Sequence, residues 1–207
     1  MPPKKFPEMK VYKLKKEPVK VTVVGVSPLL CNKIPPHTLE DILFKTCGLP
    51  IPDRPKPTME QLYEWSLYRH PDPDTEFGFP ARAFKSAMVR TCKIVDGVTM
   101  KDAESAFHVL SDTLPLRGTP ERFDTHERNY KKQIIAVTYA LFPKGWEIDL
   151  TILHTLKVIN RDSVINLLFN AGSWAGIGRR RPELGGTNGT FEIKSINGDE
   201  PEDGEEA

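Results

Sequence analysis

The first half of the chain contains two stretches with regular hydrophobic patterns. Residues 19–26 alternate Val with Lys, Thr and Gly before Ser27-Pro28, which predicts a central β-strand. Residues 79–95 place apolar side chains at every third or fourth position, which predicts an amphipathic helix. The opposite face of this helix carries Arg82 and Lys85, so one face is expected to pack while the other stays basic.

The second half of the chain predicts a set of strands and one further helix. Four stretches have the alternation or β-branched content of strands: residues 105–110, 133–142, 146–153 and 190–194. The tight Pro143-Lys144-Gly145 turn predicts that the middle two form a hairpin. A helical pattern covers residues 162–171, with Asn160 as its N-cap and Gly172 as its C-terminal stop.

Residues 29–77 differ from their surroundings because Pro-rich turns separate short helical pieces there. Thr58 is a predicted N-cap, and Gln61 completes a capping box for a helix that runs through Tyr68. The aromatic side chains of this helix suit either packing or base stacking, and helical spacing favours packing. We interpret the whole segment as a helical insertion.

The succession of these elements indicates an α+β fold. It matches a ferredoxin-like (RRM-like) βαββαβ core with an antiparallel sheet, a Pro-rich helical insertion and an extra hairpin. We therefore predict a single domain over residues 19–196, with the insertion at about 29–77. Residues 1–18 form a basic arm, and residues 197–207 form an acidic tail that is too charged to fold and is expected to be disordered.

Composition places the chain among ordinary globular domains. Its 207 residues, 39% of them hydrophobic, are enough for one domain with a substantial core. No apolar run approaches the ~20 residues of a membrane helix, and no secretory signal follows the N-terminal charges, so we expect a cytoplasmic protein without membrane contact. Cys31, Cys47 and Cys92 are widely spaced and suggest neither disulfides nor a zinc site, and we predict no metal and no cofactor.

The distribution of charge matters more than its sum. A net charge of +1 alone argues against a nucleic-acid binder, but the acidic residues are concentrated in the tail, so the preceding body is clearly positive. Six lysines within the first 16 residues add to this charge. They suit either contact with a phosphate backbone or the solubility of a loose terminus.

The most distinctive stretch is the Gly-rich segment at residues 170–191, which follows the last predicted helix. Its glycines permit positive φ and close approach of a ligand, and Arg179-Arg180-Arg181 supply guanidinium forks for phosphate. Glu183 is the only acid nearby and cannot neutralise all three, so we expect phosphate contact rather than internal ion pairs. A purely structural Gly-rich loop is the alternative.

Residues 116–132 lack apolar periodicity and are predicted as a long polar loop. Basic groups alternate there with Phe123, His126 and Tyr130, which suits a single strand because charges bind the backbone and rings stack on bases. With the basic helix face and the Gly-rich segment, this loop completes the candidate nucleic-acid-binding set: Arg82, Lys85, Arg90, Arg117, Arg122, Arg128, Asn129, Gly176, Gly178, Arg179, Arg180, Arg181 and Asn188.

Several of these segments resemble the RAMP superfamily, in particular the backbone subunits of CRISPR effector complexes. Residues 79–85, with Arg90 in the following helix, look like that superfamily's Ile-Pro-Gly-Ser-Ser segment, although Ala-Arg-Ala at 81–83 replaces Gly-Ser-Ser. Residues 176–179 and 185–191 look like its C-terminal Gly-rich loop and final strand. Stand-alone phage-encoded relatives share this general appearance.

The resemblance implies a protein that coats single-stranded RNA or DNA as a repeating subunit, in a homo-oligomer or filament. Residues 127–129 lie where backbone subunits carry a polar, RNA-facing region. We expect the insertion at 29–77 to supply the contact between neighbours in a head-to-tail arrangement.

An enzyme is less favoured than a binding protein. The sequence contains no nucleophile motif, no Walker loop and no spacing for a metal pair. Two alternatives nevertheless stay open. One is RNA cleavage, with His126 as general acid or base beside Asp124 or Arg128, and the other is a structural protein that self-associates through the insertion.

Overall fold

The computed structural model describes residues 13–128 and 131–199. The strands in this part of the chain are β1 (Lys16–Gly25), β2 (Leu29–Cys31), β3 (Gly78–Pro80), β4 (Phe107–Val109), β5 (Thr113–Arg117), β6 (Glu121–Arg128), β7 (Ile134–Phe142), β8 (Glu147–Thr155) and β9 (Phe191–Ile196). The helices are α1 (Pro36–Thr46), α2 (Met59–Ser66), α3 (Ala81–Thr91), α4 (Met100–Ala106) and α5 (Arg161–Asn170), and two short turns follow them, a π-helical one at Ala171–Ala175 and a 3-10 one at Pro182–Leu184.

Two antiparallel sheets organise the strands. The larger, six-stranded sheet has the order β3-β5-β8-β1-β9, and β4 also pairs with β8. The smaller sheet has the order β2-β7-β6. The α+β class and the antiparallel pairing that the sequence predicts are confirmed.

Helices α3 and α5 cover one face of the larger sheet. The valines of β1 alternate inward and meet the apolar stripes of both helices, in a core that includes Val21, Phe84, Met88, Val164 and Leu168. The apolar residues that predict β1 and α3 from the sequence are therefore the residues that each element buries.

The turn from β1 to β2 is shaped by a buried indole. Trp146 is 1% exposed, and its Nε1 donates a hydrogen bond to the backbone oxygen of Ser27 at 2.8 Å. A Cβ at Gly25 would lie only 2.1 Å from the indole ring. Because no larger residue fits there, glycine at the end of β1 is a packing requirement.

The other face of the larger sheet is polar and ion-paired. Arg117 of β5 pairs with Asp149 and Glu147 of β8, and Lys194 of β9 pairs with Glu147 as well. The hydrogen bond from Arg117 holds the pKa of Asp149 below its usual value, and the one from Lys194 does the same for the pKa of Glu147. This face is a network of satisfied charges.

The predicted hairpin between residues 133–142 and 146–153 is wrong. Both stretches are strands, but β7 pairs with β2 and β6 in the smaller sheet, whereas β8 pairs with β1, β4 and β5. The hairpin that does form joins β6 to β7, with Arg128 opposite Ile134. Alternation in a sequence identifies a strand and its buried face but does not specify its partner.

The predicted long loop at 116–132 is also wrong, because β5 and β6 occupy most of it. The β6 strand lies at the edge of the smaller sheet, and its side chains alternate between exposed and half-buried rather than between exposed and buried. Such a strand has no apolar alternation for a sequence pattern to show. The strand predicted at 105–110 is shorter, because residues up to Ala106 belong to α4.

Two predicted helix caps are confirmed. Thr58 and Gln61 form the capping box of α2, which ends at Ser66 rather than Tyr68, and Asn160 accepts a hydrogen bond from Ser163 at the start of α5. Gly172 is not the stop of α5.

The α5 helix passes directly into the π-helical turn and ends at Gly176, whose φ is +63°. Gly172 lies inside that turn, where a Cβ would come within 2.1 Å of the Phe191 carbonyl oxygen. Its glycine is explained by this close packing rather than by helix termination.

The predicted arm and tail fall largely on residues 1–12 and 200–207, which lie outside the described residues. Residues 16–18 of the arm form the start of β1. At the other end Asn197 donates its backbone N–H to Lys20 at 2.8 Å. The part of the insertion at Leu29–Cys31 belongs to the smaller sheet, and no helix of the described chain has the length and apolar character needed to cross a membrane.

Candidate functional site

A cleft of about 320 Å³ lies between α3 and the Gly-rich loop, which we define as residues 176–189. Helix α3 contributes Arg82 and Arg90 to one wall, and the loop contributes its backbone with Arg179 and Arg181 to the other. The sequence predicts all four of these arginines as binding residues. The structure brings them to one place although about ninety residues separate the two elements.

The Gly-rich loop is held in position by its own backbone. Ile177 donates to the Gly189 oxygen at 2.9 Å, and Arg179 donates to the Leu30 oxygen of β2 at 3.0 Å. Gly189 has φ of +71°, and a Cβ there would lie 1.8 Å from the Ile177 oxygen. Glycine at position 189 therefore permits close contact between two parts of the loop rather than close approach of a ligand.

Gly176 and Gly178, both predicted binding residues, line the cleft and have positive φ. A Cβ at Gly178 would lie 2.7 Å from the Leu30 oxygen, so this glycine lets the loop lie flat on β2. Asn188 donates its backbone N–H to the Arg180 oxygen at 3.0 Å and does not line the cleft. Gly176 and Gly178 thus contribute to the shape of the cleft and not to its charge.

Glu183 pairs with two arginines from opposite walls. It accepts from Arg181 at 2.9 Å and also forms an ion pair with Arg90. The side chain of Glu183 is only 15% exposed, so this carboxylate joins α3 to the Gly-rich loop at the base of the cleft. Burial lowers the pKa of Arg181, and the nearby charges of Arg90 and Arg179 lower it further.

Glu127 of β6 pairs with the two other arginines of the loop. Its carboxylate lies 2.6 Å from Arg179 and 3.3 Å from Arg180. Arg180 also donates to Thr125 at 3.3 Å, and its guanidinium lies 5.9 Å from the centre of the Phe123 ring. The smaller sheet thereby supports the loop from the side away from α3.

These contacts correct one expectation. The sequence predicts that the three consecutive arginines avoid internal ion pairs, but each of them has one, with Glu127 or Glu183. Glu127 is 52 residues from Arg179 in the sequence, so no local pattern indicates the contact. Glu183 is the only acid near the arginines in the sequence, and the fold brings Glu127 next to them as a second.

The carboxylates do not neutralise the cluster. Five guanidinium groups stand against two carboxylates, which leaves a formal charge of +3: Arg82, Arg90, Arg179, Arg180 and Arg181 with Glu127 and Glu183. The side chain of Arg82 has no hydrogen bond or ion pair within the described part of the chain. An excess of closely spaced cations beside a cleft favours an anionic ligand.

Tyr68 adds a half-exposed aromatic ring to the cleft wall. It follows α2 in the chain and packs edge-on against Phe79, with ring centres 5.8 Å apart. The sequence pattern assigns this ring to a packed helix and so misses its place beside Arg82. Because α2 ends at Ser66, Tyr68 lies outside the helix. The predicted helix runs two residues too far and therefore includes Tyr68.

Most of the remaining predicted residues lie away from the cleft. Arg117 is on the polar face of the larger sheet, and Arg122 of β6 pairs with Asp124 and with Glu60 of α2. Arg128 ends β6, where its side chain is exposed. Lys85 lies on α3 one turn after Arg82, next to the cleft, and Asn129 falls outside the described residues.

The predicted catalytic pair shows no shared hydrogen bond. Asp124 accepts from Arg122 and, at 2.8 Å, from Thr138, and these bonds hold the pKa of its carboxyl below the usual value. His126 is exposed two residues further along β6, and no hydrogen bond joins its imidazole to the described residues. A carboxylate occupied in this way does not orient a neighbouring imidazole. RNA cleavage by this pair stays an untested prediction.

Comparison with known proteins finds distant similarity among solved structures. No family model and no curated protein matches this sequence. Among solved structures, the crystal structure of Cmr6 from Pyrococcus furiosus matches with a TM-score of 0.41 and 9% sequence identity, over 87% of this chain and 100% of that chain. No residue role is transferred from so distant a likeness.

Proposed function

We propose that this protein binds single-stranded nucleic acid, RNA or DNA, with the phosphate backbone lying in the cleft between α3 and the Gly-rich loop. The observation that carries the proposal is the charge of this cleft, whose walls carry four guanidinium groups and one carboxylate, that of Glu183. A polyanion satisfies the excess charge and releases its own counterions when it binds.

A nucleic acid suits this cleft better than an isolated phosphate. Tyr68 presents a ring beside Arg82, so a base can stack on the ring while the adjacent phosphate meets the guanidinium. Stacking on one aromatic side chain contributes about 1–3 kcal/mol and does not depend on the base. Exposed bases are required for this contact, which favours a single strand over a duplex.

The binding test uses fluorescence anisotropy of labelled single strands, RNA and DNA, over a range of salt concentrations. Arg82→Gln should weaken binding of every sequence alike and reduce the slope of log affinity against log salt by about 0.7. Arg161→Gln, an exposed arginine at the start of α5, is the matched control and should leave the slope unchanged. Equal slopes for all three proteins contradict the proposal.

We propose in addition that the core is ferredoxin-like. The order β9-β1-β8, followed by β4 and β5 along the remaining edge of β8, supports this assignment, as does the position of α3 and α5 on one face. In this interpretation α3 and α5 are the two helices of a βαββαβ unit, and residues 29–77 are added to it. Residues 1–18 and 197–207 then flank one domain as an arm and a tail.

We also propose that copies of the protein assemble along a bound strand. Helix α1 of the insertion contributes no buried residue, and its Leu39, Ile42 and Leu43 are 48%, 50% and 63% exposed. Apolar side chains left exposed on one helix favour contact with a neighbouring molecule. Light scattering with a long single strand should show particles larger than one protomer, and Leu43→Glu should reduce their size. Particles that stay monomeric at saturating strand contradict assembly.

A further inference from the structure

A second depression adjoins the cleft at the start of α3. It shares Tyr68, Pro80 and Arg82 with the cleft, and it continues past Arg82 to Lys85 on one side and to Ser111 on the other. We call it the α3 depression. Since Arg82 lines both, a chain of phosphates that follows the cleft reaches this depression without leaving the surface.

Lys85 lines the α3 depression and contacts a second basic side chain. Lys85 Nζ lies 3.3 Å from Nδ1 of His108 on β4. Such a contact requires that the imidazole accept the hydrogen bond from the ammonium, so the ring is neutral when the contact is made. Neither side chain has an ion pair with a carboxylate in the described part of the chain.

The charges that face this pair are mostly positive. Arg82 precedes Lys85 by one helical turn, and Lys16 of β1 acts on His108 from the same sheet, across β8. Two acids are close, Asp112 in the wall of the depression and Glu104 of α4 in the groove on the other side of Lys85. The charges of Lys85 and Lys16 both lower the pKa of His108.

We propose that the α3 depression is a second phosphate subsite, where Lys85 and His108 hold the phosphate next to the one in the cleft and His108 takes up a proton when the strand binds. The proposal rests on the proposed function, because it extends the path of the same strand. The proposal gives His108 a role in binding, although His108 belongs neither to the Gly-rich loop nor to the arginine cluster.

The proton uptake follows from the electrostatics of the pair. Burial lowers the pKa of His108, and the charges of Lys85 and Lys16 lower it further. A phosphate bound beside Lys85 and His108 acts in the opposite direction and raises that pKa, because it stabilises the imidazolium. Affinity should therefore rise as the pH falls through the interval between the raised pKa of the complex and the lowered pKa of the unbound protein.

The test measures the affinity for a labelled single strand as a function of pH in the full chain. From about pH 7.5 to about pH 5.5 the affinity of the unsubstituted protein should rise roughly threefold to tenfold, since each unit of pKa shift is a factor of ten at most. His108→Gln keeps a hydrogen-bonding side chain but cannot titrate, so it should flatten this pH profile. A His108→Gln protein with the unsubstituted pH profile overturns the proposal.

Lys85→Gln tests the other half of the subsite. It should weaken binding and also reduce the pH dependence, because the imidazole loses the cation that lowers its pKa. Lys93→Gln removes an exposed lysine just beyond the same helix and serves as the matched control, with the pH dependence intact. Equal behaviour of the two variants overturns the assignment of Lys85.

A measurement with inorganic phosphate separates this inference from the proposed function. If no single strand binds, the proposed function fails, and the subsite is then tested by NMR titration of the His108 ring. Phosphate should raise the pKa of His108 in the unsubstituted protein and have no such effect in Lys85→Gln. An unshifted His108 pKa at saturating phosphate overturns the subsite itself.

Discussion

Glu127→Gln removes one of the two carboxylates that restrain the arginine cluster. The side chain of Glu127 is 17% exposed and lies 2.6 Å from Arg179 and 3.3 Å from Arg180. Glutamine has nearly the same shape and retains a carbonyl oxygen that can accept hydrogen bonds, so the substitution changes charge more than packing. The formal charge of the cluster rises by one, and Arg179 and Arg180 are released from a competing anion.

The expected change in affinity follows from counterion release. One more guanidinium available to the strand increases the slope of log affinity against log salt by about 0.7, which is roughly a fivefold gain at about 0.1 M salt relative to 1 M. Stability should change in the opposite direction. Loss of the two ion pairs at a half-buried position costs about 1 kcal/mol, or about 2–4 °C in Tm for a chain of this length.

The assay pairs anisotropy titrations with thermal unfolding of the same samples. Glu121→Gln is the matched control, because Glu121 is an exposed residue of the same strand and has no ion pair in the described part of the chain. It should leave both affinity and Tm close to the unsubstituted values. Affinity that falls together with Tm refutes the reasoning, because Glu127 would then be needed to position the arginines rather than compete with the strand.

Three further outcomes are expected from other parts of the molecule. Gly189→Ala should destabilise the fold by about 3 kcal/mol or more in urea unfolding, because the residue has φ of +71° and its Cβ would lie 1.8 Å from the Ile177 oxygen. A Gly189→Ala protein of normal stability would show that the loop adopts another conformation. Arg117→Gln should leave strand affinity unchanged and lower stability by less than about 1 kcal/mol, because its ion pairs with Asp149 and Glu147 are largely exposed; a clear loss of affinity would place the strand on the polar sheet face. Deletion of residues 200–207, which carry five carboxylates, should tighten binding in low-salt titrations if the tail competes for the cleft, and an unchanged affinity would exclude that competition.

Elements with a buried side and a local cap could be predicted from the sequence. The first strand shows its buried valines as an alternation, and the capping residues Thr58 and Asn160 lie next to the helices that they start. In both cases the information is contained within a few residues. The class of the fold follows from such elements, because each buried face needs a partner.

Elements without a buried side could not be predicted in this way. The β6 strand lies at a sheet edge with alternating exposed and half-buried residues, and its sequence resembles that of a loop. The partners of β7 could not be predicted either, since a short turn suggested the wrong one. Pairing is decided by the whole fold, and here the correct neighbour precedes β7 rather than follows it.

In the candidate site, too, local features could be predicted and distant contacts could not. Arg82, Arg90 and the loop arginines were predicted as binding residues because their residue types and glycine-rich context are local features. Their internal partner Glu127 was not, because it reaches them from a distant strand. The sequence predicts Arg117 and Arg122 as members of the same set only because the stretch that holds them resembles a loop, whereas it forms β5 and β6.

Photo-crosslinking of a single strand tests the central claim most directly. A strand carrying a photoreactive base at each position in turn is irradiated with the full chain, and the modified peptides are identified by mass spectrometry. The account predicts crosslinks to Tyr68, to residues 78–90 and to the Gly-rich loop, with their yield reduced by Arg82→Gln. Crosslinks confined to the polar face of the larger sheet, or absent from the cleft while the strand is bound, would contradict it.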